Sequence, residues 1–158
     1  KAFDRAMETY LKKGYSEKWI NQRLKSIEVR KELTDEWDLR GVKKGLEYAI
    51  LTDEITKAWA GLSVKDYKKL KDLKKENLRD NMTNLELVLN MLAEATTSEI
   101  SKKKEPKTFD QNKTIAKMGG TIAGNTRKEI ESKTGENIVT SKNAKRLKSK
   151  NDLNRLEE

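Results

Sequence analysis

The chain has 158 residues, 35 basic against 26 acidic, a net charge of +9, and only 34% hydrophobic against 39% charged residues. That length fits one domain with a modest core, and no run of about 18 apolar residues exists to make a transmembrane helix. With neither Cys nor His, it lacks thiolate nucleophiles, zinc–thiolate sites, and the commonest general base and metal ligand.

Apolar spacing is helical almost throughout. Phe3, Ala6, Met7 and Tyr10 form one face of a first helix, interrupted by Gly14. Ser16 caps a second helix with Ile20, Leu24, Ile27 and Lys31 on one stripe and Trp19 beside it. Thr34, Asp35 and Glu36 read as a fresh N-terminus, opening a short helix that holds Trp37 and stops near Gly41. Residues 42–51 are expected to be an irregular connector. Thr52 then caps a short helix ended by Gly61, and Ser63 with Asp66 starts another that carries Val64, Tyr67, Leu70 and Leu73.

The strongest signal begins at Thr83. Thr83 and Glu86 have capping-box spacing, and the following helix is apolar on more than one side, which places residues 84–103 at the centre of the fold. Lys102–Pro106 is the clearest break. Thr108 and Gln111 form a second capping box, opening a helix to about Lys133 that ends at Gly135. Ile138–Thr140 is a brief β-favouring patch. The predicted class is all-α: a compact multi-helix bundle over 1–140, with 141–158 as a basic C-terminal helix or tail.

Gly119, Gly120 and Gly124 do not make a phosphate loop, because no Lys-Ser or Lys-Thr follows and no strand precedes them. Ala116, Gly120 and Gly124 instead form a small-residue stripe at i, i+4, i+8. Three small residues on one face suit close helix association, within the chain or across a dimer, which offsets the roughly 1 kcal/mol cost of each helical glycine. Asp35/Glu36 and Asp53/Glu54 read as first-turn acids, and Glu28/Glu32 as a solvated face. No residue is assigned a catalytic, cofactor or metal role.

The basic residues dominate. Lys65, Lys68, Lys69, Lys71, Lys74 and Lys75 decorate the segment after Gly61, and residues 52–73 have the outline of a helix-turn-helix. That second helix lacks the Arg, Asn and Gln that read base edges, so lysine there grips phosphate and reads little. Lys142, Lys145, Arg146, Lys148 and Lys150 make a second patch, and Asn21, Gln22, Arg23, Lys25 and Arg30 a third. Trp19, Trp37 and Trp59 sit at helical-period apolar positions and are expected in the core.

Four segments, GYSEKWINQRLKSIEVRKELTDEW (14–37), EYAILTDEITKAW (47–59), LKKENLRDNMTNLELVLNMLAEATTSEISK (73–102) and GGTIAGNTRKEIESKTG (119–135), resemble the C-terminal half of BRO-type prophage proteins. These are variously called antirepressors or DNA-damage-inducible protein D. The resemblance implies regulation in phage induction or the DNA-damage response, through DNA or a regulator or repair protein. It also implies a preceding BRO N-terminal DNA-binding domain, which is expected to be missing from a chain that starts at Lys1. No catalytic residues come with it.

The leading expectation is therefore a non-enzymatic, cytoplasmic regulatory module. It would oligomerise or bind a regulatory or DNA-repair protein, while its basic surface supports DNA binding with the N-terminal domain. The alternative is an autonomous nucleic-acid-binding module using residues 52–73. Neither a cofactor nor a membrane is expected.

Overall fold

A computed structural model describes residues 2–144, and four of its helices start where a side chain takes up a free backbone amide. In chain order they are α1 (Ala2–Lys12), α2 (Glu17–Leu39), α3 (Leu46–Ala60), α4 (Val64–Leu70), a 3-10 turn (Arg79–Asn81), α5 (Asn84–Lys104) and α6 (Phe109–Thr134). Ser16 and Ser63 accept hydrogen bonds from the amides of Trp19 and Asp66. Thr83–Glu86 and Thr108–Gln111 both close as reciprocal capping boxes, each cap worth about 1 kcal/mol. Gly61 and Gly135, in the left-handed region, end α3 and α6.

The short connection at residues 105–108 folds α5 and α6 into a hairpin, and α2 and α3 cover one side of it. Trp37, Trp59, Leu33, Leu51, Ile55 and Leu87 fill the space between, each nearly inaccessible to water. Trp19 is buried with them and forms an aromatic cluster with Tyr10 and Tyr15, whose ring stacks on it at 4.2 Å. α1 lies against α2.

The second helix is longer than the sequence pattern predicts. α2 runs unbroken through Thr34, whose hydroxyl donates to the carbonyl of Lys31 at 3.0 Å instead of capping a new helix. Glu36 is therefore no first-turn acid: it is buried, accepting from Arg40 Nε at 2.7 Å and Ser101 Oγ at 2.5 Å. The expected irregular connector at 42–51 is also corrected. Helix α3 begins at Leu46, and Thr52 lies inside it with its hydroxyl on the Tyr48 carbonyl. Tyr48 explains the extra turn, because its ring packs on Trp37 and its hydroxyl donates to the Thr34 carbonyl. Asp53 and Glu54 consequently sit mid-helix, where Asp53 accepts the Val64 amide at 2.8 Å.

No strand is present among the described residues. Ile138 packs into the core as irregular chain, its amide held by Glu131. Burial continues past residue 140 to Asn143 and Ala144.

The glycine stripe lies against α3 of the same chain. A Cβ at Gly120 would stand 2.6 Å from both the Ile55 carbonyl oxygen and Ala58 Cβ, and one at Gly124 would stand 2.4 Å from the Ala58 oxygen. Gly119 faces the other way, onto Thr97 of α5. The small residues let α6 touch two backbones at once, and the dispersion gained along that length offsets their poor helix propensity.

Candidate nucleic-acid interface

Helix α4 has only two turns, and its orientation is set from both ends. Ser63 caps it, Asp53 of α3 holds its first amide, and Tyr67 points inward with no solvent exposure. With Tyr67 inside, Lys65 and Lys69 are exposed and Lys68 is half-buried at the edge. The helix stops at Leu70 because Asp72 takes a left-handed conformation (φ +57°), with the amides of Asp72 and Leu73 returning to the carbonyls of Lys69 and Lys68. Lys74 and Lys75 follow as exposed residues.

Lys71 is the exception among these lysines, and its assignment as a phosphate contact is corrected. Its side chain is inaccessible to solvent, and Nζ donates to Glu86 Oε1 at 2.7 Å, to the Thr140 carbonyl at 2.8 Å and to the Lys142 carbonyl. Glu86 is equally buried and also accepts from Tyr67 Oη and from the Thr83 amide. Burial pushes the Glu86 carboxyl upward and the Lys71 ammonium downward from their ordinary values, each opposed by the other's charge. Burial, reinforced by the Glu86 charge, holds the Tyr67 phenol well above its usual range.

This buried pair has a consequence on the surface. By grasping two carbonyls of the 140–142 segment, Lys71 brings the exposed Lys142 beside α4. Lys142 is thus carried by a segment anchored at the end of the helix that bears Lys65, Lys68 and Lys69, with Lys74 and Lys75 following that helix in the chain. Lys145, Arg146 and Lys148 (with Lys150) lie outside the described residues.

The residues of the helix-turn-helix outline fall on the second half of α3 and on α4, and α4 would make a poor reading head. Seven residues make α4 about 10 Å long, and its outward side chains are lysines flanking Asp66. Lysine is a point charge that holds a phosphate but makes no bidentate contact with a base edge.

The third basic patch does not form. Arg23 is buried and donates to Asp80 Oδ1 at 2.8 Å, while Arg30 reaches Glu94 at 2.9 Å and Thr52 at 2.7 Å and stacks over Trp37. Arg79 donates to the same Glu94 oxygen at 3.0 Å. All three tryptophans are core residues, and two indole NH groups are taken inside, by the Met82 carbonyl and by Asn90. Of the acid pair on α2, Glu28 and Glu32 are both exposed, and Glu32 pairs with Lys102.

Beside the lysine face runs a cleft of about 630 Å³, lined by Arg30, Thr52, Asp53, Val64, Lys65 and Lys68. A deeper recess of about 160 Å³ shares Thr52, Val64 and Lys68 and adds Asn77, Arg79 and Asn90. Lys65 and Lys68 bring positive charge to the cleft, Asp53 offsets part of it, and Arg30 and Arg79 are already paired with Glu94.

Sequence reasoning missed the polar seam of α5: Glu86, Asn90, Glu94, Thr97, Ser98 and Ser101, all buried. The signal was present as polar residues at three- and four-residue spacing within a helix apolar on several sides. Among the described residues, no group of three or more Asp and Glu gathers as a metal site, and no helix is long and apolar enough to cross a membrane.

A family model described as the DinD C-terminal domain matches residues 11–148. Neither the curated proteins nor the solved structures give a match. The family match spans most of the 158 residues.

Proposed function

We propose that this chain, which belongs to the DinD C-terminal domain family, is a non-catalytic interaction module whose lysine face holds the nucleic-acid backbone. In the setting implied by its resemblance to BRO-type proteins, it supports a regulator of phage induction or of the DNA-damage response. It would act beside a DNA-binding domain and a regulatory or repair partner. The observation that supports this reading is the anchoring of the 140–142 segment, with its exposed Lys142, by Lys71 at the end of α4, which with the residues after it carries Lys65, Lys68, Lys69, Lys74 and Lys75; none of these six lysines has an ion-pair partner among the described residues. Charge without base-reading groups gives sequence-blind affinity.

The test is fluorescence anisotropy of the intact chain on two duplexes of unrelated sequence, at low and at physiological salt. Six phosphate contacts predict a log–log salt slope of about −5 to −6 and equal affinity for both duplexes. Replacing Lys65, Lys68 and Lys69 together with Gln reduces the slope by about 3. Absence of binding at low salt, or a slope untouched by the triple substitution, refutes the proposal.

A further inference from the structure

The stretch from Asn77 to Asn90 belongs to the most distinctive run of the sequence, and the lysine face does not use it. Its Asn77, Leu78, Arg79, Met82 and Asn90 line the recess of about 160 Å³ that adjoins the cleft beside α4, with Thr56 and Val64 across from them. The backbone of this stretch is tied down. Asn81 donates to the Asn77 carbonyl at 2.7 Å, and the Met82 carbonyl takes the Trp19 indole at 2.8 Å.

The recess is defined by the hydrogen-bonding capacity that the fold leaves over. Arg79 turns its charge to Glu94, beside Arg30 on the same oxygen. Asn90 gives its carbonyl oxygen to the Trp59 indole at 3.2 Å, and its amino group has only a 3.5 Å contact with Glu94. Asn77 gives its oxygen to the Asp80 amide at 3.2 Å, and its amino group has no partner among the described residues. Thr56 donates to the Thr52 carbonyl at 2.9 Å and keeps its acceptor capacity. What remains is two neutral amide donors and a hydroxyl acceptor among Val64, Leu78 and Met82. The unpaired cations are Lys68, shared with the cleft, and Lys65 beyond it.

This arrangement is selective. An acidic side chain entering the recess would carry its charge toward Glu94, whose guanidinium partners are already taken. A nucleotide has the reverse polarity, with an anionic phosphate at one end and a neutral base edge of carbonyl acceptors and N–H donors at the other. We propose that the recess takes the base of an unpaired nucleotide whose phosphate rests on Lys65 and Lys68. About 160 Å³ admits one base and not a base pair, so the base must arrive unpaired or leave its stack. No aromatic ring lines the recess, and the base is held by its edge instead of by stacking.

The proposal rests on the phosphate reading of Lys65 and Lys68, and its test keeps the two apart. Fluorescence anisotropy of the intact chain compares oligo(dT) with an abasic strand of the same length and charge. Oligo(dT) binds about tenfold tighter, the effect of about two edge hydrogen bonds, and both strands show the same salt slope. Asn77→Leu removes most of that advantage and leaves the abasic affinity unchanged, without loss of helix because Asn77 is exposed. Lys65→Gln weakens both strands alike. Thymidine monophosphate at about 1 mM separates the sources: competition that Asn77→Leu abolishes shows that free nucleotide also enters, and an oligo(dT) advantage without competition confines the site to strands. Equal affinity for the two strands overturns the proposal while leaving the lysine face standing. An oligo(dT) advantage untouched by Asn77→Leu also overturns it, and absence of binding to either strand overturns both readings.

Discussion

Lys71 separates a structural cation from a ligand-binding one, and Lys71→Met tests which it is. In the native chain Nζ makes its three hydrogen bonds with no solvent exposure, and Glu86 beneath it has none either. Methionine fills the same volume but leaves the carboxylate with the Tyr67 and Thr83 donors and no counter-charge, and two carbonyls lose their donor. Removing one partner of a buried ion pair costs about 3–5 kcal/mol, which for a domain of this size lowers the unfolding midpoint by roughly 10–15 °C.

The loss depends on pH in a defined direction. Burial has already raised the Glu86 carboxyl above its ordinary value, and losing the ammonium raises it further. A carboxyl raised in the folded state contributes stability below its unfolded pKa and loses that contribution as pH climbs through the folded one. The variant therefore lies closest to wild type near pH 4 and falls furthest behind at neutral pH. Urea unfolding followed by circular dichroism at both pH values measures this. Lys71→Met/Glu86→Gln recovers part of the loss, and Lys68→Met changes stability by less than about 0.5 kcal/mol. A Lys71→Met protein as stable as wild type at pH 7, with DNA affinity reduced as far as by Lys68→Gln, refutes the structural assignment.

Two further outcomes follow from packing and burial. Gly120→Ala gains about 1 kcal/mol of helix propensity yet places a methyl 2.6 Å from the Ile55 carbonyl; overpacking of about 1–3 kcal/mol leaves a net loss in thermal unfolding. A raised midpoint would show that α3 and α6 can separate freely. At alkaline pH, Tyr10, Tyr15 and Tyr67 are all held above the usual phenol value, chiefly by burial. Their stabilisation is present below about pH 10 and lost as pH rises further, so absorbance at 295 nm should report their ionisation only together with unfolding. Ionisation of all four tyrosines before any loss of helix would contradict their burial.

Much of the helical framework was readable locally. Both capping boxes, the Ser16 and Ser63 caps and the Gly61 and Gly135 stops lie where the sequence puts them. Errors arose where a polar residue had two local options. Thr34 and Thr52 can cap a helix or return a hydroxyl to the preceding turn. Each did the latter because Trp37, Tyr48 and Leu51 needed helical backbone to reach the core. At the candidate interface the exposed lysines of α4 were readable, but the burial of Lys71 and the arrival of Lys142 were not.

The sequence by itself determined that the chain is helical, where most helices begin and end, and that its chemistry is cationic and without histidine or cysteine. These depend on composition and on residues within about four positions of one another, the reach of a helical hydrogen bond. Only the tertiary structure decided which charges face water. Lys68 and Lys71 look alike in the chain, yet one borders solvent while the other is sealed against Glu86 and the 140–142 carbonyls. That difference is set by segments some fifteen and seventy residues away, because the cost of burying an ammonium is recovered only where distant acceptors converge on it.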